Sequence, residues 1–228
     1  MVGSFERVFP PPIEARASVP EFPMPELKAW PLPPFLVRSI DPNLQEDYFD
    51  DLQTTEVGAL VWSTFPVRVY LEPPDSNRRS QVWVREASKA VQDWATHFPL
   101  TIVSQPEQAE ITIWRSPLPL RVSNRQTGRV RSAETRYELY TTQDASTGRK
   151  TLQHRMFVRV RPDQADSYIR SAVRHELGHA LGIWGHSPQE SDIMYFAQVR
   201  NPPPISRRDL NTLKRVYEQP TRLGGFLP

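Results

Sequence analysis

The chain has 228 residues, of which 38% are hydrophobic and 24% charged, with a net charge of +2. That length suits one compact domain of about 150 residues with an extension. No apolar run is long enough to span a membrane, no basic-aromatic module of a known nucleic-acid-binding type occurs, and the absence of cysteine excludes disulfide support. Charge is unevenly spread: residues 1–114 hold 9 Lys+Arg against 16 Asp+Glu, and residues 115–228 hold 19 against 10. Such a division fits an acidic N-terminal part docked on a basic second half, a basic surface that meets an acidic partner, or ordinary solvated charge. The opening residues 1–9 lack the pattern of a signal peptide, so they do not place the chain in a compartment.

In chain order, residues 1–34 contain nine prolines, which forbids a regular helix or a central strand. An extended arm is expected. Its apolar residues, among them Phe22, Met24, Leu27 and Trp30, exceed what a free linker needs, so it should lie along the domain surface. Residues 41–56 carry Asp41, Glu46, Asp47, Asp50, Asp51 and Glu56 with no base. The expected organisation is a Pro-rich and acidic extension at 1–57, a folded domain at 58–220, and a tail at 221–228. Alternation over 65–71 predicts a strand. Val84, Ala87, Val91, Trp94 and Phe98 recur at three- and four-residue steps and predict a helix over 79–97, with His97 at its end. Short strands are expected at 100–104 and 111–114, then a long arginine-rich loop over 115–132. Strands at 134–142 and 152–160 are joined by a turn at Thr147-Gly148. His154 is expected to be exposed.

Asp166-Ser167 offers a cap for a helix over 167–181 that holds His175 and His179. Four residues apart on a helix, the two imidazoles share one face with Cβ atoms roughly 5–6 Å apart. Two rings so placed can grip one zinc ion, and Glu176 leans over the same site, where it can act on a metal-bound water. Gly178 and Gly182 weaken the helix, and Gly182 suits the left-handed turn that ends it. The turned chain can bring back a third ligand. His186 is the first candidate and Asp192 the second. A histidine pair alone is often only a set of satisfied polar groups. Here three of the five histidines of the chain fall within twelve residues and an Asp-Ile-Met-Tyr turn follows, which points to a metal. Ser206-x-x-Asp209 is a capping box that opens a final helix to about 218. From Gln219 the tail is expected to be loose.

The stretch from His175 to Tyr195 resembles the metzincin zinc-binding motif, His-Glu-x-x-His-x-x-Gly-x-x-His followed by a Met-turn. Within that clan it is most similar to the matrixins, the matrix-metalloproteinase-like peptidases. His175, Glu176, His179 and Gly182 match position by position, and Met194 stands eight residues after His186, as in matrixins. One extra residue separates Gly182 from the third histidine: Gly185 occupies the expected ligand position, and a bulge with positive φ at this glycine would absorb the insertion. The resemblance implies an α+β fold, with a twisted five-stranded mixed sheet, two long helices and a small C-terminal part that holds the Met-turn and the last helix. It implies one catalytic zinc on His175, His179 and His186, Glu176 as general base, Met194 as an apolar floor, and no tyrosine ligand, since Phe196 stands where relatives carry one. The strand at 134–142 becomes the sheet edge along which an extended protein or peptide substrate binds, and residues 195–205 wall the pocket beside it. The loop 115–132 lacks the ligands that hold structural zinc and calcium in matrixins, so neither is expected. An Asp of the acidic segment, Asp41 first, could cap the zinc in a latent form. A monomer without nucleic-acid partner or membrane span is expected, outside the cytoplasm by resemblance, although a cytoplasmic place stays open. The rival readings are a non-catalytic zinc module and a zymogen held shut by residues 1–57.

Overall fold

A computed structural model describes residues 23–38, 46–117 and 132–228. Asp41 and residues 118–131, on which the latency contact and most of the metal-free loop were expected, lie outside the described residues. The elements are α1 (Pro34–Arg38), β1 (Val67–Leu71), α2 (Arg78–Ala95), β2 (Leu100–Val103), β3 (Ile111–Arg115), β4 (Ala133–Gln143), β5 (Lys150–Val160), α3 (Asp166–Leu181) and α4 (Arg207–Tyr217). Two single-turn 3-10 helices, Phe49–Asp51 and Pro106–Gln108, stand between them.

Among the described residues five strands make one mixed sheet in the order β2-β1-β3-β5-β4, and with four helices the architecture is mixed α/β. β1 pairs in parallel with β2 and β3, β3 pairs in parallel with β5, and β4 alone is antiparallel, against β5. Among the described residues β4 pairs only with β5 and forms an edge. Alternation sets the buried face: Val67 and Val69, Ile111 and Ile113, and Met156, Val158 and Val160 are all fully buried. They join Trp83, Ala87, Ala90, Val91 and Trp94 of α2 and Ile169, Val173, Leu177 and Ala180 of α3 in one core. The two long helices are tied together by the Trp94 indole near the end of α2, which donates to Arg174 O in the middle of α3 at 2.8 Å.

Local capping departs from expectation at α3. Ala165, not Asp166 or Ser167, is the N-cap, with no side-chain hydrogen bond. Asp166 falls in the first turn, where a negative charge faces the positive helix end and pairs with Arg85 at 3.0 Å. α4 begins with the expected capping box of Ser206 and Asp209.

His154 is buried rather than exposed: it is 2% accessible and stacks on Trp62 with ring centroids 3.8 Å apart. It shares the inward phase of Leu152, Met156 and Val158, and that period-two phase outweighs its polarity. Burial pushes its pKa down to about 3, so the ring is neutral in the fold. The unfolded chain then binds an extra proton between about pH 6.5 and 3, and stability falls as pH falls through that window by up to about 1.4 kcal/mol per unit. His154→Phe should flatten that acid limb. Urea unfolding of the parent and the variant from pH 7 to 5 checks it, and parallel slopes would contradict it.

The described segment 23–38 and the C-terminal residues 219–228 are both woven into the domain, while the first part of the expected arm, residues 1–22, lies outside the described residues. Leu36 is 1% accessible, and Phe35 meets Phe65 and Phe98 edge-on, each at 5.0 Å. Residues 219–228 are not loose: Lys28 bridges Thr221, Leu152 N donates to Gly225 O at 3.0 Å, and Leu227 N to Lys150 O at 2.9 Å. Part of the acidic segment docks on basic α4, with Asp47 2.8 Å and Asp50 3.3 Å from Arg215, and Glu46 3.4 Å from Arg208. The pairs to Asp50 and Glu46, whose carboxylates are exposed, contribute little each, about 0–1 kcal/mol, so they orient more than they stabilise. No helix among the described residues is long and apolar enough to cross a membrane.

Candidate metal centre

Helix α3 brings His175 and His179 to successive turns of one face, with ring centroids 4.8 Å apart. The helix ends at Leu181 because Gly182 adopts φ +129°, and a Cβ there would stand 2.8 Å from Leu60 O. The chain then doubles back through Ile183, Trp184 and Gly185 and returns His186 to the pair, 5.3 Å from the His175 ring and 5.0 Å from the His179 ring. One ligand atom from each of the three lies within 4.8 Å of the others. The triad is therefore close enough to hold a metal ion.

Gly185 is accommodated differently from the expectation. Its φ is not positive. What it needs is the absence of a side chain, since a Cβ would meet Leu52 Cα at 2.9 Å and Asp51 O at 3.1 Å. Asp192, the alternative ligand, does not join the imidazoles. It is 1% accessible, and its carboxylate accepts from Ser187 Oγ, from Ser206 Oγ at 2.7 Å and from Arg208 Nε at 3.0 Å.

The hydrogen bonds behind the rings decide which nitrogens face the site. His175 Nδ1 is 2.8 Å from Ile193 O, and His179 Nδ1 is 2.7 Å from Ile183 O. A carbonyl can only accept, so each Nδ1 carries the proton and each Nε2 keeps a lone pair. Burial holds His175 down at about 4 and His179 well below the ordinary histidine value, and the neighbouring imidazoles add to the effect. Both rings are thus neutral at pH 7, the form that ligates metals.

Glu176 is buried and lines the same cavity as His175 and His186. Thr135 Oγ1 of β4 lies 2.6 Å from its Oε2 and 3.0 Å from its main-chain oxygen. Sequence reasoning missed Thr135, because nothing local to β4 signals a contact with a helix 41 residues on. The cavity has a volume of about 570 Å³. Ser132 and Ala133 at the start of β4 form one side, and residues 195–199 with Pro203 form another. His97 and His154 take no part in the triad.

Met194 is fully buried, and a Cβ added to Gly178 would overlap its Sδ. In an open helix Gly→Ala stabilises by up to about 1 kcal/mol, whereas overpacking a tight core costs about 1–3 kcal/mol. The second effect should win: Gly178→Ala is expected to lower unfolding stability, and a variant at least as stable as the parent in urea would refute the close packing.

The Met194 turn is anchored by Asp209, which accepts from Ile193 N at 3.0 Å, Met194 N at 3.4 Å and Ser206 N at 2.7 Å. The capping box was legible in the sequence, but the second duty of the same carboxylate was not. A scan of the chain against protein-family models finds no match, and no curated protein matches it significantly.

Proposed function

We propose that this chain is a zinc-dependent endopeptidase of the metzincin type, similar to the matrixins. The observation that carries the reading is the convergence of three imidazoles, two with Nδ1 tied to carbonyls, with His175 and His186 lining one cavity together with Glu176. The donor set suits zinc, which takes neutral imidazole nitrogen at about 2.0–2.1 Å and, with three protein ligands, keeps a position for water. Bound there, zinc would supply a water of pKa near 7 and polarise a substrate carbonyl.

The remaining work falls to the chain itself. Glu176 takes the proton of the attacking water and delivers it to the leaving nitrogen. Thr135 holds Oε2 of that carboxylate in place and orients it toward the site. The edge of β4 offers main-chain groups to an extended peptide, whose side chain beyond the cut bond enters the cavity walled by residues 195–199. Met194 keeps the floor beneath the rings dry.

The test is cleavage of a mixed peptide library by the full chain with added zinc, with Glu176→Ala as control. Cuts made only by the parent are expected, and their flanking residues give the preference. Stoichiometric zinc with no cuts would leave the two rivals, a binding module and a zymogen held shut by residues 1–57, and the same assay on a chain beginning near Gly58 would separate them.

A further inference from the structure

Residues 48–56 do more than cover the domain. They touch the supports of all three imidazoles. Next to His186, Leu52 forms an antiparallel bridge with Gly185, and Gln53 N donates to Trp184 O at 2.9 Å. The fit is tight, since Gly185 has no room for even a methyl group against Leu52 and Asp51. Behind His175 runs a chain of hydrogen bonds. His175 Nδ1 meets Ile193 O, Ile193 N donates to Asp209, and Asp209 Oδ1 accepts from Tyr48 OH at 2.6 Å. Tyr48 itself is 3% accessible, and its backbone N donates to Thr212 Oγ1 at 3.0 Å. Near His179, the Trp184 ring stands 5.9 Å from the imidazole and edge-on to Tyr137 at 5.3 Å, and Tyr137 OH donates to Glu56 at 2.8 Å.

The 3-10 turn Phe49–Asp51 sets the spacing between the Tyr48 and Leu52 anchors, with the Arg215 guanidinium 4.5 Å over the Phe49 ring. The extra residue before His186 lengthens the loop that must return the third ligand. A longer loop has more conformations to lose when it closes on a metal. The Leu52–Gly185 bridge removes that freedom in advance.

We infer that residues 48–56 are a positioning clasp for the metal centre, which pre-organises the His186 loop and the Met194 turn so that the triad binds metal tightly. The inference rests on the proposed role of the triad as a metal site. It assigns this segment a duty opposite to that of a removable inhibitor, because cutting it away would weaken the site.

The experiment is cobalt(II) titration of the full chain, followed through the visible absorption of the bound ion, for the parent, Tyr48→Phe, Gln53→Pro and Val91→Ala. Tyr48→Phe deletes one hydroxyl and keeps the ring, and Gln53→Pro removes the N–H given to Trp184. Val91→Ala opens the buried core of α2 and serves as a control for general destabilisation. Outer partners of metal ligands typically contribute 10–100-fold in affinity. Tyr48→Phe and Gln53→Pro should therefore each raise the cobalt Kd about tenfold and alter the absorption envelope, while Val91→Ala lowers thermal stability and leaves Kd unchanged. If Gln53→Pro does not fold, Tyr48→Phe alone decides. A Kd within twofold of the parent for the folded clasp variants overturns the clasp and spares the metal site, as does an equal loss in Val91→Ala. A parent that binds no cobalt overturns both.

Discussion

Glu176→Ala is expected to lower kcat by about 10²–10⁴, the usual contribution of a positioned general base, with one equivalent of zinc retained. The carboxylate lines the cavity but is not among the three clustered imidazoles, so its loss removes the proton acceptor and spares the ligands. Glu176 is buried at 7% accessibility, and its Oε2 is held by Thr135. Water that enters the vacated space would lack a fixed base. The measurement is single-turnover cleavage of a peptide chosen from the library, with metal content read in parallel. Turnover within tenfold of the parent would remove Glu176 from the mechanism. Loss of both zinc and activity would show instead that the carboxylate is needed to build the site.

His186→Ala is expected to weaken zinc binding by more than the 10–100-fold typical of an outer partner, because a direct ligand is lost. Asp192→Asn is the matched comparison. Its carboxylate is bound to Ser187, Ser206 and Arg208 rather than placed among the imidazoles. Removal of its charge weakens the pair with Arg208, which is partly exposed and keeps Glu46 at 3.4 Å, so the cost falls below the about 3–5 kcal/mol of a fully buried charge left unpaired. Asp192→Asn should therefore unfold at a lower temperature yet hold zinc at near-parental affinity. Competition titration against a chelator separates the two. The reverse result, zinc lost in Asp192→Asn and kept in His186→Ala, would move the third ligand to Asp192.

Much of the framework is legible in the sequence because it rests on local periodicity. The strands and the two long helices announce themselves through two- and four-residue repeats, and the observed spans shift the expected ends by only a residue or two. The end of α3 was readable as well, since one glycine at φ +129° suffices to turn the chain. The candidate site was legible for a related reason. His175, Glu176, His179 and His186 lie within twelve residues, so their proximity follows from one helix and one turn. The misjudged cap of α3 is a contest among neighbours of similar propensity, which distant contacts such as Arg85 with Asp166 decide.

The sequence by itself determined which residues could meet a metal and which faces would be buried, because helix and strand periods are set by backbone geometry. Only the tertiary structure decided that Gly185 yields its space to Leu52, that Tyr48 holds Asp209 from 161 positions away, and that Thr135 reaches Glu176. It also decided that the tail closes on β5. These contacts join segments with no shared period and no shared turn. Their hydrogen bonds are worth making only once the core has brought the two partners together and shielded them from water.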